Sequence, residues 1–461
     1  MIDPAIFKAY DIRGVYGEQI DEQVAYRIGR AFVRVLAEQA GKPSTQLRVA
    51  LGRDMRLSAP ALAARYSDGM RDEGADVLDV GEVGTEMVYF AVGSRDLDGG
   101  LMCTASHNPQ QYTGAKLVKR GAVALSGDSG IAEIGRIAGA GEPSAVTGGR
   151  GDYGLLDVRD EFASAVIAFI EPDQVGPAKV VLDGGNGMAG PTVGPLLDRL
   201  AIEQIRTYWT PDGHFPDHEP NPLLPENRTF VERKVLSEGA ELGIAWDGDA
   251  DRCFFIDDNG RFVDGDFLTA LLAESVLAKQ PGAAILYDVR ASRAVADTVA
   301  RAGGTAHVNR VGHAFFKSRM RSEGAVFGGE VSGHYYFRDF YCADSGTIPA
   351  LLILELLSVK GKRMSELLAG YRERYFISGE INSEVADQAS KMNEIAASYV
   401  DGEIGWLDGV SCDYPDWHFN VRASNTEPLL RLNLESLVSA DHMAEKRDEV
   451  LALIRGRNDG R

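Results

Sequence analysis

In the segment after Phe7-Lys8-Ala9-Tyr10-Asp11-Ile12-Arg13-Gly14, Val24, Ile28, Phe32, Val35 and Leu36 fall on one stripe at helical spacing, which predicts an amphipathic helix. The rhythm then changes. A short apolar strand at residues 47–51 is followed by the loop Gly52-Arg53-Asp54, a helix opening near Ser58-Ala59-Pro60 and a second strand at 76–80. Ser58 is expected to cap that helix, with Pro60 in its first turn. The same order returns twice. Residues 179–183 lead into Gly184-Gly185-Asn186-Gly187, a helix through Leu196, Leu197 and Leu200, and a strand at 203–208. Residues 284–288 lead into Val289-Arg290-Ala291-Ser292, a helix through Val295 and Val299, and a strand at 305–308. Strands alternating with helices predict an α/β chain with three similar α/β domains built on mixed, mainly parallel sheets.

From about residue 375 the pattern shifts to strand-like 376–381, a helix near 387–399, strand-like 410–414 and 417–422, and a final helix near 440–455. This predicts a smaller C-terminal α+β domain. A glycine-rich stretch at 139–154, with Pro143 and Ser144, marks the first boundary. The expected division is 1–147, 153–258, 262–368 and 373–461.

Composition narrows the functional classes. The 461 residues can bury several cores, and the net charge of −20 argues against nucleic acid or an anionic membrane as a general partner. Four scattered cysteines, Cys103, Cys253, Cys342 and Cys412, predict reduced thiols rather than a disulfide framework. The opening Met1-Ile2-Asp3-Pro4 has no basic region followed by an apolar core, and no apolar run approaches the roughly 18 residues of a membrane span. The expectation is a cytoplasmic protein. An anionic small substrate would need a local basic pocket.

Four polar loops interrupt the apolar strands. The first, Thr104-Ala105-Ser106-His107-Asn108-Pro109, exposes a hydroxyl beside an imidazole, and Tyr112, Gly114 and Lys116 follow. In an extended loop adjacent side chains point apart, so His107 is badly placed as a base for Ser106, and the G-x-S-x-G elbow of a hydrolase is missing. The second, Asp247-Gly248-Asp249-Ala250-Asp251-Arg252, sets carboxylates at every second residue, on one side of an extended loop. Such carboxylates repel one another unless a cation joins them, and hard oxygen ligands suit Mg²⁺. An EF-hand would need glycine at Arg252 and glutamate at Asp258. The third, Gly328-Gly329-Glu330-Val331-Ser332-Gly333-His334, offers acceptors and donors to vicinal hydroxyls. The fourth, Arg422-Ala423-Ser424-Asn425-Thr426-Glu427-Pro428, suits a phosphate dianion.

In that order the four loops resemble those of the α-D-phosphohexomutase superfamily, and most closely its bacterial phosphomannomutase/phosphoglucomutase branch. The resemblance covers nearly the whole chain. It implies a monomer whose four domains each give one loop to a central cleft, with Ser106 as phosphoserine. Asp247, Asp249 and Asp251 would hold one Mg²⁺ together with the Ser106 phosphate. It also implies phosphorylated hexoses as substrates, with a hexose 1,6-bisphosphate as intermediate and activator. Glu330 and Ser332 would bind sugar hydroxyls, with Tyr10, Arg290, His313 and His334 nearby, while Arg422, Ser424, Asn425 and Thr426 would grip the phosphate that is not reacting. Arg13, Arg252 and Lys116 would spread charge on the transferring group, with His107 beside it. Lys116 is the first candidate base, provided that cationic surroundings lower its pKa, and His334 or His313 the second.

Departures touch the substrate. Thr113 stands where the family often has asparagine, Arg290 where this branch often has lysine, and Val331 where the phosphoglucosamine mutase branch usually has glutamine. The leading expectation is interconversion of mannose 6-phosphate and mannose 1-phosphate, with phosphoglucosamine mutase or phosphoglucomutase activity as the related alternatives. Two other classes are a phosphatase using Asp247 as nucleophile, which wants threonine or valine at Asp251, and a non-catalytic sugar-phosphate binding protein.

Overall fold

A computed structural model describes residues 2–141, 149–424 and 428–456. The predicted first helix forms as Glu22–Ala40. Asp21 accepts from Val24 N at 2.7 Å at its start, and Gly41 closes it in the left-handed region at φ 62°. Its stripe of Ile28, Phe32, Val35 and Leu36 is buried against the first sheet.

Three sheets repeat one plan. In the first, strand Arg48–Arg53 has parallel neighbours Asp76–Glu82 and Gly99–Cys103, and Gly99–Cys103 turns back into antiparallel Tyr112–Lys119. In the second, Lys179–Asp183 lies between parallel Glu203–Thr207 and Leu242–Trp246, and the latter turns back into Cys253–Asp257. In the third, Ala284–Asp288 lies between parallel Thr305–Asn309 and Phe327–Gly329, and the latter turns back into Tyr335–Phe337. Each of the first three polar loops therefore leaves the carboxyl end of a strand with one parallel and one antiparallel neighbour. This is where an open α/β sheet leaves a crevice for a ligand. The first sheet also takes in Tyr153–Leu155, parallel to Asp76–Glu82, so it reaches past the boundary expected at 147.

The fourth sheet is antiparallel throughout. Its strand Leu429–Ser436 is missing from the sequence expectation, although Leu430, Leu432 and Leu434 alternate there with Arg431, Asn433 and Glu435. The stretch expected as one strand at 376–381 is two, Phe376–Ile377 and Ile381–Glu384, interrupted at Gly379 by a left-handed φ of 67°. Ser58 precedes helix Ala59–Asp72 as expected but makes no side-chain cap, because its own backbone is already helical. The four cysteines are buried and unpaired, and no helix among the described residues is long and apolar enough to cross a membrane.

Packing separates the fourth unit from the rest. One apolar cluster runs through the first three units, including Val88, Trp246, Phe267 and Ile353, whereas Ile395, Phe419, Leu432 and Ile454 belong to a cluster of the fourth unit alone. Side chains such as Trp246 and Phe267, buried this fully, contribute about 2–3 kcal/mol each. The three central loops thus sit on one shared core.

Candidate active site

The serine loop is held from below by an arginine that the sequence reading passed over. Arg56 is buried, and its guanidinium donates to the carbonyls of Ser106, Asn108, Pro109 and Tyr112 at 2.7, 2.6, 2.9 and 3.0 Å. Asp54 pairs with it at 3.3 Å, and Phe215 of the second unit covers it, 5.3 Å from ring centroid to guanidinium carbon. The only sequence signal was an Asp-x-Arg at the end of a buried strand. Ser106 itself takes a left-handed φ of 49°, and its N–H donates to Thr104 Oγ1 at 2.8 Å.

That conformation corrects the expectation of an extended loop with Ser106 and His107 pointing apart. His107 Nδ1 lies 3.3 Å from Ser106 Oγ. The ring is still no base for the serine, because Arg252 donates to the same nitrogen. Burial, and then Arg252, Arg13 and Lys116, hold the imidazole well below its ordinary pKa and keep it neutral.

The second loop meets the first backbone to backbone. A Cβ on Gly248 would stand 2.4 Å from the Ser106 carbonyl oxygen, so only glycine fits. Ser106 Oγ donates to Asp247 Oδ2 at 2.7 Å. Asp247, Asp249 and Asp251 bring carboxylate oxygens within 4.8 Å of one another, and Oδ1 of both Asp249 and Asp251 is buried without a hydrogen-bond partner. Burial, followed by repulsion from Asp249, pushes Asp251 well above the usual carboxylate range. An all-oxygen donor set of this charge, with two buried oxygens unsatisfied, fits a hard divalent cation. The loop is anchored on the first unit, where Thr85 N–H donates to the Asp249 carbonyl at 3.0 Å and Thr85 Oγ1 to its carboxylate.

Lys116, expected among cations, lies among carboxylates. Its ammonium donates to Asp249 Oδ2 at 2.7 Å and to Asp251 Oδ2. Burial by itself would lower it, but Asp249, Asp251 and Asp247 overcome that and hold it above its ordinary value. Lys116 therefore lacks the cationic surroundings that a role as base was expected to need. Arg252 is fixed by Asp247, Nε to Oδ2 at 2.9 Å, and Arg13 donates to Asn108 and Asp11.

These groups open on a cavity of about 800 Å³. Ser106, His107, Lys116 and Arg13 of the first unit line it with Asp251 and Arg252 of the second, His313 and His334 of the third, and Arg422, Ser424 and Arg431 of the fourth, and Tyr10 lines it too. Tyr89 and Asp344 also line it, and the sequence reading named neither. Asp344 is paired with buried Lys317 at 2.6 Å. His334 Nδ1 lies 3.1 Å from Ser332 Oγ, and burial together with Arg252 keeps its ring neutral. Burial and Lys317 bring His313 down to about 4.

Glu330 stands just behind this wall. Its carboxylate accepts from Gly312 N–H at 2.8 Å and from the Tyr336 hydroxyl, and burial followed by Asp288 raises it to about 7. Arg290 is held by Asp288 at 2.8 and 3.0 Å. Asn425 and Thr426 lie outside the described residues. The arrangement gathers a serine hydroxyl, an aspartate trio that fits a cation, several fixed cations and the guanidiniums of the fourth unit around one chamber. It suits phosphoryl transfer to and from a small molecule that carries a second anionic group.

Comparison with known proteins agrees. Models of phosphoglucomutase/phosphomannomutase alpha/beta/alpha domains I, II and III match residues 4–143, 160–260 and 264–375, and the C-terminal domain of that family matches 380–453. A Salmonella montevideo protein named phosphomannomutase is 44% identical over 456 residues, covering 97% of this chain and 98% of its own. A Xanthomonas campestris protein named phosphohexose mutases is 43% identical over 457 residues, covering 98% and 99%. The crystal structure of a phosphoglucomutase/phosphomannomutase family protein from Burkholderia thailandensis has a TM-score of 0.90 at 34% identity, covering 99% of each chain. With four family domains in order and relatives this similar along their whole length, the chain belongs to the phosphoglucomutase/phosphomannomutase family of phosphohexomutase enzymes.

Proposed function

We propose that the protein is a phosphomannomutase that interconverts mannose 6-phosphate and mannose 1-phosphate, with glucose phosphates as further substrates. The observation that carries this reading is the shared cavity. Ser106, which donates to Asp247, lines the same chamber as Arg422, Ser424 and Arg431 of the fourth unit, as a substrate that reacts at one phosphate and is held by another requires. The relatives named phosphomannomutase, 42–44% identical, point to mannose.

In the first half-reaction a sugar hydroxyl oxygen attacks the phosphorus of phosphorylated Ser106. The new O–P bond forms, the Oγ–P bond breaks, and a hexose 1,6-bisphosphate results. Lys116, Arg13 and Arg252 face the transferring group as fixed cations. Bound Mg²⁺, held by Asp247, Asp249 and Asp251, would supply further neutralisation of phosphoryl charge. The hydroxyl proton passes to His334, which is neutral and lines the cavity, in place of Lys116, which the aspartates keep protonated. The bisphosphate then turns, Ser106 Oγ attacks the other phosphorus, the sugar O–P bond at that position breaks, and His334 returns its proton to the freed sugar oxygen. Glu330 and Ser332 would take sugar hydroxyls that keep similar places in both orientations. A monomeric cytoplasmic enzyme primed by a trace of hexose 1,6-bisphosphate completes the reading.

The test is conversion of 1-phosphate to 6-phosphate for mannose, glucose and N-acetylglucosamine, side by side, with Mg²⁺ and a trace of glucose 1,6-bisphosphate. The expected result is a kcat/KM for mannose at least equal to that for glucose and far above that for the amino sugar. Steady release of inorganic phosphate without isomerisation, or conversion of the amino sugar alone, would overturn the reading.

A further inference from the structure

Behind the phosphate end of the cavity, one carboxylate sits among three guanidiniums. Arg422 and Arg431 are direct cross-strand partners in the antiparallel pair Trp417–Ala423 and Leu429–Ser436. Like charges in that position repel and need an anion between them. Arg290 reaches the same place from the third unit. Glu380, in the short link between strands Phe376–Ile377 and Ile381–Glu384, touches all three. Arg431 Nη1 donates to its Oε1 at 2.8 Å, and Arg290 Nη1 and Arg422 Nη2 donate to its Oε2 at 3.3 and 3.4 Å.

The arrangement is lopsided in a useful way. Arg290 keeps two shorter bonds to Asp288 whatever Glu380 does. Arg422 and Arg431, in contrast, line the cavity, where Arg431 also reaches Ser424 Oγ at 3.4 Å. The Glu380 contacts to Arg290 and Arg422 are long for charge-assisted bonds, and its side chain is 26% exposed, so it can leave without abandoning a buried charge.

We propose that Glu380 is an internal competitor for the phosphate end of the site, an anion that Arg422 and Arg431 hold until the unreacted phosphate of a sugar phosphate displaces it and to which they return when that phosphate departs. The role deepens the mutase reading and rests on it. An intermediate that must let go, turn and bind again needs a distal grip that is reversible, and guanidiniums without an alternative partner would hold a dianion too long. Glu380 gives each release step a second partner for the freed cations. It touches no reacting atom and is a residue that sets affinity.

The experiment compares Glu380→Gln with Glu380 in a Ser106→Ala background, where no phosphoryl transfer occurs, by calorimetric titration with mannose 1-phosphate and separately with inorganic phosphate. Removing one anionic competitor beside two guanidiniums is expected to tighten both ligands about tenfold. With Ser106 intact, Glu380→Gln should lower KM and kcat together, because release slows. A folded Glu380→Gln protein that binds phosphate equally or more weakly overturns the proposal and leaves Glu380 as an organiser of the arginines. Should Glu380→Gln fail to fold, Glu380→Asp decides. Its shorter carboxylate competes less well and should tighten binding by a smaller factor, and unchanged affinity refutes the idea. Absence of isomerisation by the unaltered enzyme would sink the mutase reading instead, while the inorganic phosphate titration would still judge Glu380.

Discussion

Ser106 and Asp247 stand 141 positions apart in the chain, yet Ser106 Oγ donates to Asp247 Oδ2 at 2.7 Å, across the seam between the first two units. The serine loop and the aspartate loop are assembled as one object. Ser106→Ala is expected to reduce mutase turnover by at least about a thousandfold, because the hydroxyl that would carry the phosphoryl group between the two positions is gone. A coupled assay, with mass spectrometry to follow phosphorylation of the serine, checks it. Turnover within about tenfold of the unaltered enzyme would rule out the phosphoserine route.

Arg56 holds the carbonyls beneath the serine loop and does not line the cavity, so its effect should appear in catalysis and not in substrate affinity. Arg56→Lys keeps the charge opposite Asp54 but cannot reach four carbonyls at once. The expected outcome is a kcat lowered roughly a hundredfold, with KM within about twofold, since a serine displaced by about 1 Å loses alignment while the distal phosphate site is unchanged. Steady-state kinetics decide, with circular dichroism as the folding control. A rise in KM at constant kcat would contradict this assignment.

Chelation with EDTA should abolish turnover, and added Mg²⁺ should restore it. Asp249→Asn removes one of three carboxylate charges, one of whose oxygens is already shared with Lys116. The Mg²⁺ concentration for half-maximal rate should rise by at least about tenfold, the lower end of what even indirect metal partners cost. An unchanged Mg²⁺ titration would place the ion elsewhere.

Glu86 makes a separate prediction about pH and stability. It is fully buried where the first unit meets the third, accepts from the hydroxyls of Ser345 and Thr347, and is raised by burial from 4.5 to about 8. Between those two values the folded protein keeps a proton that the unfolded chain has lost. The associated stability is therefore fully present below pH 4.5 and is lost as pH rises through about 8. Relative to Glu86→Gln, which does not titrate, the unaltered protein should lose on the order of 5 kcal/mol across that window. Thermal unfolding of both proteins at several pH values tests it, and a gap that does not change with pH would refute it.

The chemistry of the four loops was legible in the sequence, because it depends on residue type and local spacing. A serine before histidine and proline, alternate aspartates between apolar strands, and an Arg-x-Ser ahead of proline each limit what a short loop can bind. The α/β class was legible for the same reason, since apolar alternation and helical stripes are local properties of the chain. What the tertiary structure decided is how those loops meet. The left-handed turn at Ser106 brings His107 back beside the hydroxyl it was expected to avoid. Lys116 is a local neighbour of Ser106 in sequence, but its charge state is set by Asp249 and Asp251, more than 130 positions away. Arg56 and Glu380 left almost no mark in the local pattern. An arginine beneath a loop and a glutamate in a short link look like ordinary polar residues until the carbonyls and guanidiniums they hold arrive from elsewhere. Local spacing fixes what a loop can bind, while electrostatics and hydrogen bonding act through space and are settled only when distant segments pack together.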